Sequence, residues 1–397
     1  MVPNGWEFKK LGLVAELQRG FDLPSAKRIE GNVPIISSGG LSGYHNESKV
    51  EPPGVVTGRY GSIGDVFYVE EDFWPLNTSL WVKNFHGNYP KYVYYLLTSF
   101  DFKKFSDKTG VPGVNRNDLH AVKVGLPPLH EQRKIAKILS TWDKAIATNE
   151  KLIETSKQQK KALMQQLLTG KKRLVNPETD KVFEGEWEEV KLASSVSLMR
   201  SGLSRKLESE NVGIAVLRSN NVGERYTSNE DLKYWYLDDP QGANVRNYIL
   251  DEGDILVNFI NSLSQIGKTC IYKKTGDLNA IYTTNLLRLK PNTEAVTGDF
   301  LFYLTKTERY RNAVKSITKP AVNQASFTTK EFGKITFTLP ALKEQQKIAS
   351  VLTAADKEIE VLEAKLAHFK QEKKALMQQL LTGKRRVNAE KQTEVAV

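Results

Sequence analysis

Apolar residues step by three and four, in one phase, along two separate stretches of the chain. The first runs Ile135, Leu139, Trp142, Ile146, Ile153, Leu163, Leu167; the second runs Ile348, Leu352, Ala355, Ile359, Leu362, Leu366, Phe369, Leu376, Leu380. That spacing is a heptad seam and predicts two long helices. Starts and stops agree. Pro127-Pro128 and Pro340 precede the two stretches, Gly170 and Gly383 follow them, and Lys/Arg clusters sit at the C-terminal ends. Glycine suits the left-handed residue that ends a helix, and cations suit the negative end of its dipole. About 35 residues at roughly 1.5 Å each makes a rod of about 50 Å. Asn149, Ser156, Lys160 and Lys373 interrupt the seam, and polar seam residues fix register at a cost in stability. The simplest arrangement packs the two rods antiparallel on each other; the other packs each on its own domain.

The two stretches are copies. Lys160-Lys161-Ala162-Leu163-Met164-Gln165-Gln166-Leu167-Leu168-Thr169-Gly170-Lys171 recurs unchanged from Lys373 to Lys384, an offset of 213. The same offset carries Glu131-Gln132 onto Glu344-Gln345 and Lys134-Ile135-Ala136 onto Lys347-Ile348-Ala349. A repeat this long and this widely separated is a duplicated domain-plus-helix unit, not a solenoid.

The segments before the helices are related but diverged. Trp6-Glu7-Phe8-Lys9-Lys10-Leu11 answers to Trp187-Glu188-Glu189-Val190-Lys191-Leu192, and Ile63-Gly64 to Ile266-Gly267. An apolar-aromatic helix follows in each (Tyr92 to Leu97, Phe300 to Leu304), then Pro112-Gly113-Val114-Asn115 or Pro320-Ala321-Val322-Asn323. A strand-like run (Val122 to Leu126, Ile335 to Leu339) leads into the prolines. Alternating apolar residues broken by Gly, Asn and Pro predict short strands and a mixed α/β (α+β) fold. The expected order is a globular domain over 1–128, a long helix within 129–173, a second domain over 174–341, a second long helix within 342–386 and a tail over 387–397.

Charge changes this picture. The net +11 is unevenly spread: residues 129–173 carry 11 Lys/Arg against 4 Asp/Glu and residues 342–386 carry 10 against 6, while 1–128 and 174–341 are nearly neutral. A basic excess invites a nucleic-acid partner, and here it belongs to the helices. The 40% hydrophobic and 26% charged composition is that of an ordinary globular protein. No run of about 18 apolar residues predicts a membrane span, the opening residues lack the pattern of a signal peptide, and a single cysteine, Cys270, suits a reducing cytoplasm.

Catalytic motifs fail one by one. Leu168-Thr169-Gly170-Lys171-Lys172 lacks the upstream glycine of a phosphate loop and lies at a helix C-terminus, which repels phosphate. Gly58-Arg59-Tyr60-Gly61-Ser62-Ile63-Gly64 has the wrong spacing for a dinucleotide fingerprint, with strand residues where a helix should open. His130-Glu131 lacks the second histidine of a zinc-protease helix, and Lys343 stands at the duplicate position. Five scattered histidines and one cysteine make no metal site. The chain reads as a binding protein, not an enzyme.

This organisation resembles the specificity subunit of type I restriction-modification systems over essentially the whole chain. The likeness rests on the two Trp-x-x-x-Lys-Leu domain starts and on Glu252-Gly253-Asp254-Ile255-Leu256-Val257. It rests also on the Pro-x-Val-Asn elements and, most specifically, on the two Leu-Pro-Pro/Ala-Leu-x-Glu-Gln-x-Lys-Ile-Ala helix starts. The resemblance implies two target-recognition domains, each reading one half of a bipartite site on double-stranded DNA, with the helices as ruler and docking surface. The implied partners are two modification (methyltransferase) subunits and two restriction/translocase subunits. S-adenosylmethionine, ATP and Mg are expected on those partners, and no cofactor or metal on this chain.

Base reading needs Arg or Lys toward guanine and Asn or Gln toward adenine. The candidates in the first domain are Ser37, Ser38, Arg59, Tyr60, Ser62, Asn77, Thr78, Lys108, Asn115 and Arg116. Those in the second are Arg218, Asn220, Asn221, Asn258, Asn261, Ser262, Gln265, Lys268, Thr284, Asn323 and Gln324. Each is also an ordinary turn or cap residue. Two other readings stay open here: a stand-alone coiled-coil DNA-binding regulator, and a Mg-dependent nuclease with its acidic site in the second domain.

Overall fold

The computed structural model describes residues 3–105, 113–276, 278–322 and 324–387. Contacts group the chain into two compact units, residues 1–152 with 362–397 and residues 153–361. The division falls inside both long helices, so each unit holds a part of each.

In unit 1, β1 (Glu7–Lys10) and β2 (Glu16–Arg19) precede β3 (Val33–Ser37), β4 (Gly40–His45), β5 (Gly54–Gly58), β6 (Val66–Val69), β7 (Trp74–Pro75) and β8 (Ser79–Asn84). Helices α1 (Pro90–Thr98) and α2 (Arg116–Ala121) and strand β9 (Lys123–Leu126) then lead into α3 (Leu129–Leu167). The sheets are ordered β2-β8-β5-β6, β4-β3-β7 and β1-β9.

In unit 2 the strands are β10 (Glu188–Lys191), β11 (Val196–Ser201), β12 (Ile214–Leu217), β13 (Lys233–Trp235), β14 (Ile255–Asn258), β15 (Ile260–Asn261), β16 (Thr269–Ile271), β17 (Ala280–Tyr282) and β18 (Leu286–Pro291). Next come α4 (Gly298–Leu304), α5 (Glu308–Ile317), β19 (Lys319–Pro320), β20 (Ala325–Ser326), α6 (Thr329–Phe332), β21 (Thr336–Leu339) and α7 (Leu342–Leu381). The orders β11-β18-β14-β16, β13-β12-β17 and β10-β21 repeat those of unit 1 strand for strand, and unit 2 adds β15-β20-β19.

The duplication is therefore one of topology as well as sequence. Most of the 32 extra residues of the second domain lie between β12 and β14, which span residues 217 to 255 against 37 to 54 between β3 and β5.

Both long helices exceed the expected length, at 39 and 40 residues. They begin after Pro128 and after Pro340-Ala341, where the first amides find an acceptor: the Glu131 and Gln132 amides donate to the Pro128 carbonyl, those of Glu344 and Gln345 to that of Ala341. Gly170 and Gly383 end them with φ +69° and +73°, values that cost a side chain energy but glycine little.

The seam residues serve two purposes. Ile135, Leu139 and Leu380 join the core of unit 1 beside Tyr92, Tyr95 and Leu119. Leu167, Ile348 and Leu352 join that of unit 2 beside Phe300 and Tyr303. Farther along, helix meets helix: Trp142 lies edge-on to Phe369 at 5.7 Å, and the buried Asn149 amide donates to the Leu362 carbonyl at 2.8 Å. In each unit the part of α3 and the part of α7 run antiparallel, with higher numbers of one against lower numbers of the other.

Polar contacts at the helices also repeat at the offset of 213. Lys373 pairs with Asp143 in unit 1 and Lys160 with Asp356 in unit 2. Each aspartate also accepts a domain tyrosine, Tyr95 at 2.5 Å and Tyr303 at 2.6 Å. Burial, reinforced by these carboxylates, pushes both phenols far above their usual range and keeps them donors. Gln132 accepts from the Tyr89 amide and Gln345 from that of Thr297, while their side-chain amides return to the Pro127 and Pro340 carbonyls. Glu131 and Glu344 are buried and bind Arg386 and Arg173. The repeated Glu-Gln pair thus fastens each helix start to its domain.

Candidate nucleic-acid interface

In unit 1 the ends of β3 and β5 and the turn before β8 converge on Thr78. Its carbonyl accepts the Arg59 and Tyr60 amides at 2.9 and 3.2 Å, and its hydroxyl accepts the Ser38 amide at 3.3 Å. The Arg59 carbonyl takes the Val114 amide, and Tyr60 bridges to Gly113, which brings Asn115 and Arg116 alongside. Ser37, Ser38, Arg59, Tyr60, Ser62, Thr78, Asn115 and Arg116 therefore gather at one end of the domain. The Arg59 guanidinium lies over the Tyr60 ring at 4.6 Å, leaving a flat cationic surface of the kind that stacks on bases or meets phosphate. Asn77 is nearby but donates its side chain to Asp22. Lys108 lies outside the described residues.

Unit 2 builds the same frame from other side chains. The Asn285 carbonyl accepts the Phe259 and Ile260 amides at 2.9 and 3.2 Å, and Thr283 donates to the Leu217 carbonyl. Arg218 and Thr284 are thereby neighbours, and the pairing of Asn261 with Ala325 sets Gln324 beside the loop carrying Ser262, Gln265 and Lys268. Asn285, at the place of Thr78, was not among the sequence candidates; aligning the two domains through β8 and β18 would have found it.

Two candidates are corrected. Asn221 and Asn258 are each 1% exposed. The Asn221 amide is spent on the carbonyls of Ser228 and Glu230 and its oxygen on the Arg218 amide. Asn258 ends β14, an inner strand of its sheet, and pairs with Leu286 of β18. Neither side chain has a face to offer a base. Arg218 is held by Asp231 at 2.7 Å, Asn220 is exposed, and Asn323 lies outside the described residues.

Between the 261–268 loop and α5 opens a cavity of about 630 Å³ rimmed by Lys268, Arg311 and Lys315. Lys306 in its wall gives its ammonium to the Thr269 carbonyl at 2.8 Å, and burial pushes its pKa down to about 8. Among the described residues no three His, Cys, Asp or Glu side chains form a metal-binding group, and no helix is long and apolar enough to cross a membrane.

A duplicated mixed α/β domain, each copy followed by a long helix and each with a polar loop cluster at one end, makes a scaffold with two unlike binding ends. The family model for the type I restriction modification DNA specificity domain matches residues 3–158 and 185–371, and the chain belongs to that family. It is 31% identical over 303 residues to the type I restriction enzyme MjaVIII specificity subunit of Methanocaldococcus jannaschii, covering 75% of this chain and 70% of that protein. It is 25% identical over 231 residues to the EcoKI specificity subunit of Escherichia coli K12, covering 57% of this chain and 49% of that one. The aligned stretches span 46–70% of the lengths of such relatives. The crystal structure of the type I restriction-modification S subunit from M. genitalium superposes with a TM-score of 0.60 at 17% identity over 96% of this chain and 98% of that one, a likeness of fold.

Proposed function

We propose that this chain is the non-catalytic sequence reader of a type I restriction-modification complex, each domain reading one half of an asymmetric, two-part site on double-stranded DNA. One observation carries the reading: the same loop frame is built twice with different side chains at least partly open to solvent, Arg59, Tyr60 and Thr78 in one domain and Phe259, Ile260 and Asn285 at the matching hydrogen bonds of the other. A constant frame holding variable side chains is what two different base sequences require.

The helices dock the partner subunits and set the spacer. Within the 12-residue repeat the outward residues Lys161, Ala162, Gln165 and Gln166 and their copies Lys374, Ala375, Gln378 and Gln379 are all exposed. Packing inside the chain places no demand on them, so their identity favours two copies of one partner, the modification subunit, on two like surfaces. Helices of 39 and 40 residues measure about 60 Å, enough to bridge half-sites about 34–36 Å apart on one face of DNA. The restriction/translocase subunits complete the complex. S-adenosylmethionine, ATP and Mg belong to these partners, and the cytoplasm is the compartment.

Replacing residues 174–341 by those of a relative tests this. Maps of methylated adenine in cells carrying the exchanged chain should show one half-site changed and the other kept. A change in both halves would show that the domains do not read independently.

A further inference from the structure

The Pro-small-Val-Asn elements of the two domains match in sequence and part company in structure. Val114 is 2% exposed, whereas Val322 is 99% exposed. Val114 follows the Tyr60–Gly113 bridge into the core of unit 1. Val322 stands at the tip of a two-stranded ribbon, β19 paired with β20 through Lys319–Ser326 and Pro320–Ala325. The Ala321 amide donates to the Gln324 carbonyl at 2.7 Å across that tip.

The ribbon is firmly based. Strand β15 pairs along the other side of β20, Ala325 is buried, and Phe327 just beyond is stacked on Phe332 at 4.7 Å and set edge-on to Phe259 at 5.3 Å. A branched aliphatic side chain held in solvent contributes nothing to this domain's own core. It is stiff about χ1, so ordering it on a partner costs little. Leu263, 69% exposed on the loop after β15, gives the same small sheet a second aliphatic contact.

The surroundings point to the partner. Residues 261–268 and 318–326 include Lys268 and Lys319 and no Asp or Glu, and Arg311 and Lys315 on the helix leading into the ribbon are exposed. Basic flanks suit phosphates, and a two-stranded ribbon fits the major groove, where an aliphatic group can tell thymine by its C5 methyl. We propose that the β19–β20 ribbon enters the major groove and that Val322 packs on a thymine methyl of the half-site read by the second domain. This rests on the two-domain reading above. It makes that half-site one that contains thymine, and it assigns its recognition to a residue without hydrogen-bonding groups.

The test uses the full chain and a duplex carrying its preferred site, with each thymine of the second domain's half-site replaced in turn by deoxyuridine, which lacks only the methyl. One replacement should weaken binding about fourfold, the worth of one buried methyl. Val322→Ala should bind the thymine duplex more weakly by a similar factor and no longer tell it from the uracil duplex. Because Val322 packs on nothing within its domain, the variant folds as the parent does, which its melting curve verifies. Discrimination retained by Val322→Ala, or a wild-type chain indifferent to every replacement, would overturn the assignment and leave two-domain reading intact. A wild-type chain that selects no two-part site would overturn both.

Discussion

One heptad added to each long helix lengthens the gap in the methylated site by about three base pairs and leaves both halves unchanged. The insertion in α3 falls between Asn149 and Lys160, and that in α7 between Asp356 and Leu362. These positions are bracketed by the same two contacts, Asn149 with Leu362 and Lys160 with Asp356. Seven residues repeat the seam phase, so the apolar stripe stays continuous. They add about 10.5 Å of rise, against roughly 3.4 Å per base pair. Methylated-adenine maps give the gap directly. An unchanged gap with normal methylation would remove the ruler from this account. An insertion in α3 alone should instead disturb the pairing, because α7 then lacks a matching turn.

Glu344→Ala costs unit 2 about 3 kcal/mol. Glu344 is 1% exposed and accepts two bonds from Arg173, at 2.6 and 2.7 Å. Removing it leaves a cation with only the carbonyls of Glu184 and Gly185 as partners and opens space under the helix start. For a unit of this size the loss lowers Tm by about 6–12 °C. Lys343→Ala, one residue away, breaks an ion pair to Glu178 in which both side chains are well exposed, and should cost no more than about 1 kcal/mol. Equal melting of the two variants would show that the repeated glutamate does not fasten the helix.

The repeat made the organisation legible. Twelve consecutive identities at one offset located both helices, their glycine stops and the equivalence of the domains, because helix periodicity and capping are local. Periodicity names a buried face without naming what covers it. Ile135 and Ile348 therefore read as helix–helix contacts, while the fold sets them in domain cores. The same limit applied to the interface. An asparagine that caps a turn, such as Asn221, is spelled like one that reads a base, and burial alone separates them. Val114 and Val322 occupy matching motifs, yet one chain segment turns inward after its bridge to Tyr60 and the other forms the tip of the β19–β20 ribbon. The Glu-Gln pair was visible as a signature, but its work of joining Gln132 to Tyr89 and Gln345 to Thr297 depends on residues 43 and 48 positions away.

Selection from a pool of randomised duplexes by the purified full-length chain tests the central claim most directly. The predicted result is two different short base blocks separated by a gap of fixed length and free sequence. A single contiguous block, or two identical inverted blocks as a symmetric regulator would choose, would contradict it.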